Sequence, residues 1–398
     1  MHTTGSPTMV SARLRPFGTT VFAEMTRLAI EHKAVNLSQG FPDFDGPGFV
    51  REAAGAAIAS GKNQYARPYG ELPLVEAIAD WHARGTGIQV DPLAEVTVTS
   101  GCTEAIAACM LGLIDPGDEV VLLEPYYDSY RACVAMAGGV PRFVPLRAQA
   151  EAGRAFVLDR AELRAAFGPR TKAVLLNTPH NPTGKVLTWE ELGWIAECAI
   201  EHDAIVISDE VYEKLVFEAE QAHVSISTLP GMRERTIVCS SIGKTFSLTG
   251  WKIGWAIAPV RLTAGVRAAH QFLTFATATP LQHGAAEALR RADEYVPGLV
   301  EELRASRDML AEALASLGFG VTVPSGAYFI MADHSAFGEA DDIAFCKRLI
   351  EDVGVAAIPP SAFYDDKSLG RSLVRFAFCK KRETLEEAVR RLRAGLGG

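Results

Sequence analysis

From about residue 49 onward the sequence alternates helix-period stretches with short, unbroken runs of Val, Ile and Leu, and that alternation restricts the fold more than any other feature. Runs such as Ala173-Val174-Leu175-Leu176 and Ala204-Ile205-Val206-Ile207 lack polar alternation, which suits strands of a parallel sheet covered by helices on both faces. Strands are expected at 95–99, 119–123, 172–177, 204–208, 236–240 and 253–258. Helices are expected between them, including 103–113 and 189–202, the second introduced by Thr188 as N-cap with Glu191 three residues on. The fold class read from this pattern is α/β: a large domain with a mostly parallel sheet covered by helices.

After about residue 285 the pattern changes. A long helical stretch, 298–317, precedes short strands near 321, 328–331, 355–358 and 373–378, and a closing helix is expected at 384–393. This reads as a smaller α+β domain. A chain of 398 residues with 48% hydrophobic content is long enough for two packed units. The expected division is 1–48 as an N-terminal arm and part of the small domain, 49–285 as the large domain, and 286–398 as the small C-terminal domain. No repeat or low-complexity segment is present.

Composition removes several classes of function. A net charge of −9 argues against nucleic acid as a partner, because phosphate-backbone binding needs a clustered excess of Lys and Arg. The seven cysteines (Cys102, Cys109, Cys133, Cys198, Cys239, Cys346, Cys379) are odd in number and never spaced C-x-x-C, so neither a disulfide framework nor a metal site is expected. Residues 1–16 contain no apolar stretch of a signal peptide, and no apolar run approaches the roughly 18 residues that span a bilayer. A cytoplasmic protein without a membrane partner is expected.

In sheets of this kind ligands sit beyond the carboxyl ends of the strands. The segment Ser240-Ser241-Ile242-Gly243-Lys244-Thr245-Phe246-Ser247-Leu248-Thr249-Gly250-Trp251-Lys252-Ile253-Gly254 follows an expected strand and places a lysine there among hydroxyls. A desolvated lysine loses its ammonium form, and the free amine is a nucleophile that forms imines with carbonyls. Taken alone, the segment also fits a surface lysine in a turn. A phosphate-binding P-loop requires glycine where Val238 stands, five positions before Gly243.

Other segments accompany it in a fixed order. They are Asn177-Thr178-Pro179-His180-Asn181-Pro182-Thr183-Gly184, then Ser208-Asp209-Glu210-Val211-Tyr212, and near the end Leu373-Val374-Arg375-Phe376. Together with the lysine segment they resemble the signatures of the class I/II aminotransferases, fold type I of the pyridoxal-phosphate enzymes, from about Gly18 to the end. Gln39-Gly40-Phe41-Pro42-Asp43-Phe44 is similar to the kynurenine aminotransferase and glutamine transaminase branch. Gly18-Thr19-Thr20-Val21-Phe22-Ala23-Glu24-Met25 and Ser227-Thr228-Leu229-Pro230-Gly231-Met232 are similar to N-succinyldiaminopimelate aminotransferases.

The resemblance implies pyridoxal 5'-phosphate held covalently on Lys244, which also serves as the base that moves the substrate Cα proton. Asp209 would keep the cofactor's ring nitrogen protonated, since a nearby carboxylate favours the charged form. Tyr212 and Asn181 would bond the phenolic oxygen. Gly101, Cys102 and Thr103 open a strand-to-helix turn whose free amides suit a phosphate, with Ser241 and Lys252 adding donors. Tyr127 would stack on the ring. Arg375 would pair with the substrate α-carboxylate through two parallel hydrogen bonds, helped by Gly40 and Asn181. Tyr65 and Phe275 would reach the site from a neighbouring subunit, which implies a homodimer, and Phe22 would join them around the substrate.

The implied activity is transfer of an amino group between an L-amino acid of aromatic, sulfur-containing, glutamine or kynurenine type and a 2-oxo acid. Thr103 and Ala276 stand where kynurenine-type relatives place a tyrosine and a histidine. A succinylated or acidic substrate would need a second cation, for which the sequence offers Arg67 and Arg131. A carbon-sulfur β-lyase on the same scaffold is the rival enzyme. A non-catalytic half of a transcription regulator is the rival binding module, though few residues precede Gly18.

Overall fold

The computed structural model describes residues 9–18, 21–149, 155–218 and 221–397. Thr19 and Thr20 of the N-terminal similarity, and the first eight residues of the segment read for a leader, lie outside the described residues.

The apolar runs pair into one eight-stranded sheet. In chain order its strands are β1 Val96–Ser100, β2 Glu119–Glu124, β3 Val140–Gln149, β4 Ala155–Leu158, β5 Thr171–Asn177, β6 Ile205–Asp209, β7 Thr236–Ser241 and β8 Ile253–Ile257. Their spatial order is β1-β8-β7-β6-β5-β2-β3-β4. The central strands from β7 through β6, β5 and β2 to β3 are parallel, as the unbroken apolar runs require. β8 is antiparallel to both β7 and β1. Two reversals restore direction, so β1 runs with the central strands and its end lies on the same edge. β8 starts on that edge.

The expected strands match within one or two residues. β3 and β4 were not foreseen, because Pro141 and Pro145 interrupt the pattern of β3. Helix Trp189–Glu201 has the anticipated capping box, with the Thr188 hydroxyl accepting from the Glu191 amide and the Glu191 carboxylate accepting from the Thr188 amide. Helix Gly101–Leu113 starts two residues earlier than expected, at the glycine itself.

Beyond helix Val296–Ser316, strands Gly320–Thr322, Phe329–Asp333 and Leu373–Ala377 form a three-stranded antiparallel sheet. Strand Val35–Asn36 pairs in parallel with Val355–Ala356, tying the N-terminal segment to the C-terminal one. All seven cysteines are free and buried. Among the described residues no helix is long and apolar enough to cross a membrane, and no group of three or more His, Cys, Asp or Glu could hold a metal.

Candidate active site

The carboxyl edge of the sheet brings four chain segments to one cleft. The first segment leaves β1. Gly101 has φ +73°, a conformation that side chains resist, and a Cβ there would lie 3.0 Å from the Lys252 Nζ. Its missing side chain therefore makes room for an ammonium group beside the first amides of a helix. Gly254 packs closer still, since a Cβ there would lie 2.4 Å from the Gly101 carbonyl carbon. Gly101, Cys102, Thr103, Ser241 and Lys252 all line this end, which is a seat for an anion.

At the other end of the cleft is Asp209, the last residue of β6 and almost fully buried. Burial pushes its carboxyl group up, while the Tyr130 hydroxyl, donating to Oδ2 at 2.6 Å, and the Val211 amide, donating to Oδ1 at 3.2 Å, oppose that shift. A cationic N–H placed against this carboxylate would complete its charge balance. The end of β5 fixes the geometry, because Asn177 donates to the Asp209 carbonyl at 2.9 Å and accepts from the Asn181 amide at 2.7 Å.

Between the two ends stands Lys244, in the short helix Ile242–Thr245 after β7. Burial lowers its pKa, which favours the free amine, although Cys379 and Asp209 pull the other way. Its Nζ donates to the Gly40 carbonyl at 3.3 Å and lies 5.9 and 5.8 Å from the ring centroids of Tyr212 and Tyr328. The Tyr328 hydroxyl donates to the same Gly40 oxygen at 2.7 Å.

Lys244, Tyr127, Asn181, Tyr212 and Thr249 also line a second cavity, which continues to Arg375. Arg375 is 1% exposed. Its Nη1 donates to Asn181 Oδ1 at 3.0 Å and its Nη2 to the Ser38 carbonyl at 2.8 Å, while Nε has no hydrogen-bond partner. Phe329, Phe22 and Phe363 surround the guanidinium at 4.2, 5.3 and 5.2 Å from their ring centroids. Among the described residues no carboxylate forms an ion pair with it. A buried cation held only by neutral groups is a receptor for an anion.

The structure thus gathers Lys244, Asp209, Tyr212, Gly101, Cys102, Thr103, Tyr127, Asn181, Ser241, Lys252, Gly40, Arg375 and Phe22 around joined cavities. Tyr65 and Phe275 lie outside them in this chain, packed edge to face at 5.5 Å, with Tyr65 86% exposed. Arg131 pairs with Asp365 at 3.0 Å, and Arg67 donates to the Gly70 carbonyl at 3.3 Å; neither lines the cavities. Among the lining residues to which the sequence reading gave no role are Tyr130, Asn177, Thr249 and Asp128. Tyr130 stands one helical turn after Tyr127, a spacing that could have revealed it.

The cavities fit pyridoxal phosphate on chemical grounds: an anion seat, a buried carboxylate for a ring N–H, and an amine between them. Comparison with known proteins agrees. Residues 32–392 match the family described as aminotransferase class I and II. The solved N-succinyldiaminopimelate aminotransferase of Mycobacterium tuberculosis is 51% identical, with a TM-score of 0.94 over 97% of this chain and 99% of that one. The methionine aminotransferase of Escherichia coli is 41% identical over 98% of this chain and 99% of its own. Mouse kynurenine–oxoglutarate transaminase 3 is 42% identical over 96% and 89%. The chain belongs to the class I and II aminotransferases, enzymes that use pyridoxal phosphate.

Proposed function

We propose that the joined cavities are the active site of this aminotransferase, with pyridoxal phosphate between the Gly101 turn and Asp209 and the amino or 2-oxo acid between Lys244 and Arg375. The observation that carries this reading is the shared lysine: one amine opens on both cavities, with a buried carboxylate on one side and, on the other, a buried guanidinium that forms no ion pair among the described residues. When bound, the cofactor supplies an aldehyde that takes the amino group and a ring that takes up the electron pair left as the substrate Cα loses its proton.

The chain's own residues do the rest. Lys244 would carry the substrate Cα proton, a task suited to an amine whose burial lowers its pKa. Asp209 holds a proton on the ring nitrogen, and Tyr130 keeps that carboxylate ionised and aligned. Gly101, Cys102, Thr103, Ser241 and Lys252 bind the phosphate, Tyr127 stacks on the ring, and Tyr212 and Asn181 bond the phenolic oxygen. Arg375, with Gly40 and Asn181, grips the substrate carboxylate and so sets the direction of the Cα–H bond. Phe22, Phe41 and Phe329 wall the substrate cavity and keep water out.

That aromatic wall supports donors with large apolar, sulfur-containing, glutamine or kynurenine-type side chains. A second reading, N-succinyldiaminopimelate, is supported by the 51% identity to the mycobacterial enzyme, but neither Arg67 nor Arg131 of the same chain lines the cavity. A homodimer in the cytoplasm, with Tyr65 and Phe275 completing the partner's site, accounts for the exposure of these rings. The pairing of Val35–Asn36 with Val355–Ala356 supports residues 1–48 joining 286–398 as a small domain beside 49–285. Borohydride reduction followed by peptide mass spectrometry should place the cofactor on Lys244, and an adduct elsewhere would refute the assignment. A screen of amino donors against several 2-oxo acids, read by the colour change of the cofactor, then identifies the substrate. Release of pyruvate and thiol without a 2-oxo acid would favour the β-lyase.

A further inference from the structure

Glu104 presents an electrostatic problem. It lies in the first turn of helix Gly101–Leu113, and its Oε2 accepts from the Ser100 amide, directly behind the amides that form the anion seat. Carboxylates favour helix N-termini, but here one competes with the phosphate for the same positive end. Its other oxygen, Oε1, lies 2.7 Å from Nδ1 of His270, in helix Val260–Leu273. Nε2 of His270 lies 2.7 Å from the Pro68 carbonyl. Neither acceptor brings a hydrogen of its own, so both ring nitrogens donate and the imidazole is a cation. The His270 side chain is fully buried and that of Glu104 is 9% exposed, so solvent screens this pair weakly.

The other charges near His270 are directed elsewhere. Arg267, one turn earlier, donates to the Leu93 and Val96 carbonyls and to Thr97, and lies over the Tyr69 ring. The Tyr69 ring is 6.4 Å from that of His270. Arg67 donates to Gly70, while Glu71 accepts from the Arg67 amide and faces His283 at 3.9 Å. The carboxylate in contact with His270 is that of Glu104. The Phe275 amide also donates to the His270 carbonyl at 3.1 Å. One residue thus touches the helix behind the anion seat, the segment after Tyr65 and the turn that carries Phe275.

We propose that His270 is a positioning residue of the phosphate seat: its cationic ring cancels the Glu104 carboxylate behind the amides of Gly101, Cys102 and Thr103, so that the helix end is free to hold a phosphate. The proposal rests on the reading that this turn receives the cofactor's phosphate. Burial alone would lower the pKa of His270, yet the Glu104 bond and charge raise it, so the cation persists to higher pH than that of a free imidazole and is lost as pH rises through the raised value.

The test measures how fast bound pyridoxal phosphate leaves the holoenzyme into a trap, followed by absorbance, in the wild type and in His270→Gln, Glu104→Gln and the double variant. Pyridoxal, which lacks the phosphate, is run in parallel. His270→Gln should release pyridoxal phosphate about tenfold faster, because a bare carboxylate then sits behind the seat. The double variant should return to within about threefold of wild type, because the carboxylate is gone as well. Pyridoxal release should be unchanged throughout. Wild-type release of pyridoxal phosphate should also quicken as pH rises through the His270 transition, and that step should be absent in Glu104→Gln. A double variant as fast as His270→Gln, or His270→Gln as slow as wild type, overturns the proposal. If His270→Gln does not fold, an identical pH step in wild type and Glu104→Gln overturns it. Wild-type protein that retains pyridoxal as well as pyridoxal phosphate would instead refute the underlying seat assignment.

Discussion

Replacing Arg375 by alanine should separate substrate binding from cofactor binding. A guanidinium has five N–H groups. Two are spent on Asn181 Oδ1 and the Ser38 carbonyl, which leaves three, including the unpartnered Nε, for a carboxylate. Two charge-assisted hydrogen bonds at about 1.5–3 kcal/mol each amount to about 3–6 kcal/mol. At about 1.4 kcal/mol per decade, kcat/KM for an amino acid should fall by about 10²–10⁴. Arg375→Lys keeps a charge without the planar fork and should fall between that variant and wild type. Stability should not suffer in proportion, because burial already pulls the arginine's pKa down to about 10 and the Asp128 carboxylate, which acts on it from across the cavity without an ion pair, offsets that only in part. The assay is rapid mixing of holoenzyme with amino acid, following the absorbance of the half-reaction, alongside cofactor retention on gel filtration and a thermal melt. A drop below about tenfold, set against the two-bond estimate, or cofactor loss equal to the loss of rate, refutes the reasoning.

Tyr130→Phe deletes the 2.6 Å bond to Asp209, which opposes the effect of burial, and should raise that carboxyl's pKa further. A pH titration of the bound cofactor's absorbance should shift accordingly, and an unmoved midpoint contradicts the role. Gly101→Ala forces a side chain into φ +73° against Lys252, so a loss of about 1–2 kcal/mol is expected with weaker cofactor retention. Unchanged retention would show that the turn does not hold the phosphate. Glu124, at the end of β2, has its pKa raised to about 7 by burial, opposed by the Asp365 amide. Folded protein therefore binds more protons than unfolded between about pH 4.5 and 7, and stability falls as pH rises through that window. Glu124→Gln should gain about 1–3 kcal/mol near pH 8 and nothing near pH 4, measured by urea unfolding at both.

The centre of the sheet was legible because β5, β6 and β7 are apolar runs with a polar residue of the candidate site at or just beyond the end: Asn177 after Leu176, Asp209 after Ser208, Lys244 soon after Ser241. Arg375 was legible for the converse reason, as a charge inside the apolar strand Leu373–Ala377. What escaped depends on distance in the chain. Tyr328 meets the Gly40 carbonyl 288 residues away, and His270 meets Glu104 across 166 residues. No local periodicity encodes either pair. Strand β3 was hidden by its two prolines, tolerated because half its residues face solvent near the sheet margin.

The antiparallel course of β8 has a consequence for how the enzyme can vary. The stretch from Ser241 to Ile253 leaves the sheet and re-enters it on the neighbouring strand, so it is a short span pinned at both ends. Lys244 near one anchor and Lys252 at the other are therefore held at a fixed separation, whatever the remainder of the molecule does. Lengthening this span by even one residue would put the two amines out of step with each other. A change of length that alters which compound is accepted then fits better on other borders of the cleft, such as the loop around Gly40 and Phe41.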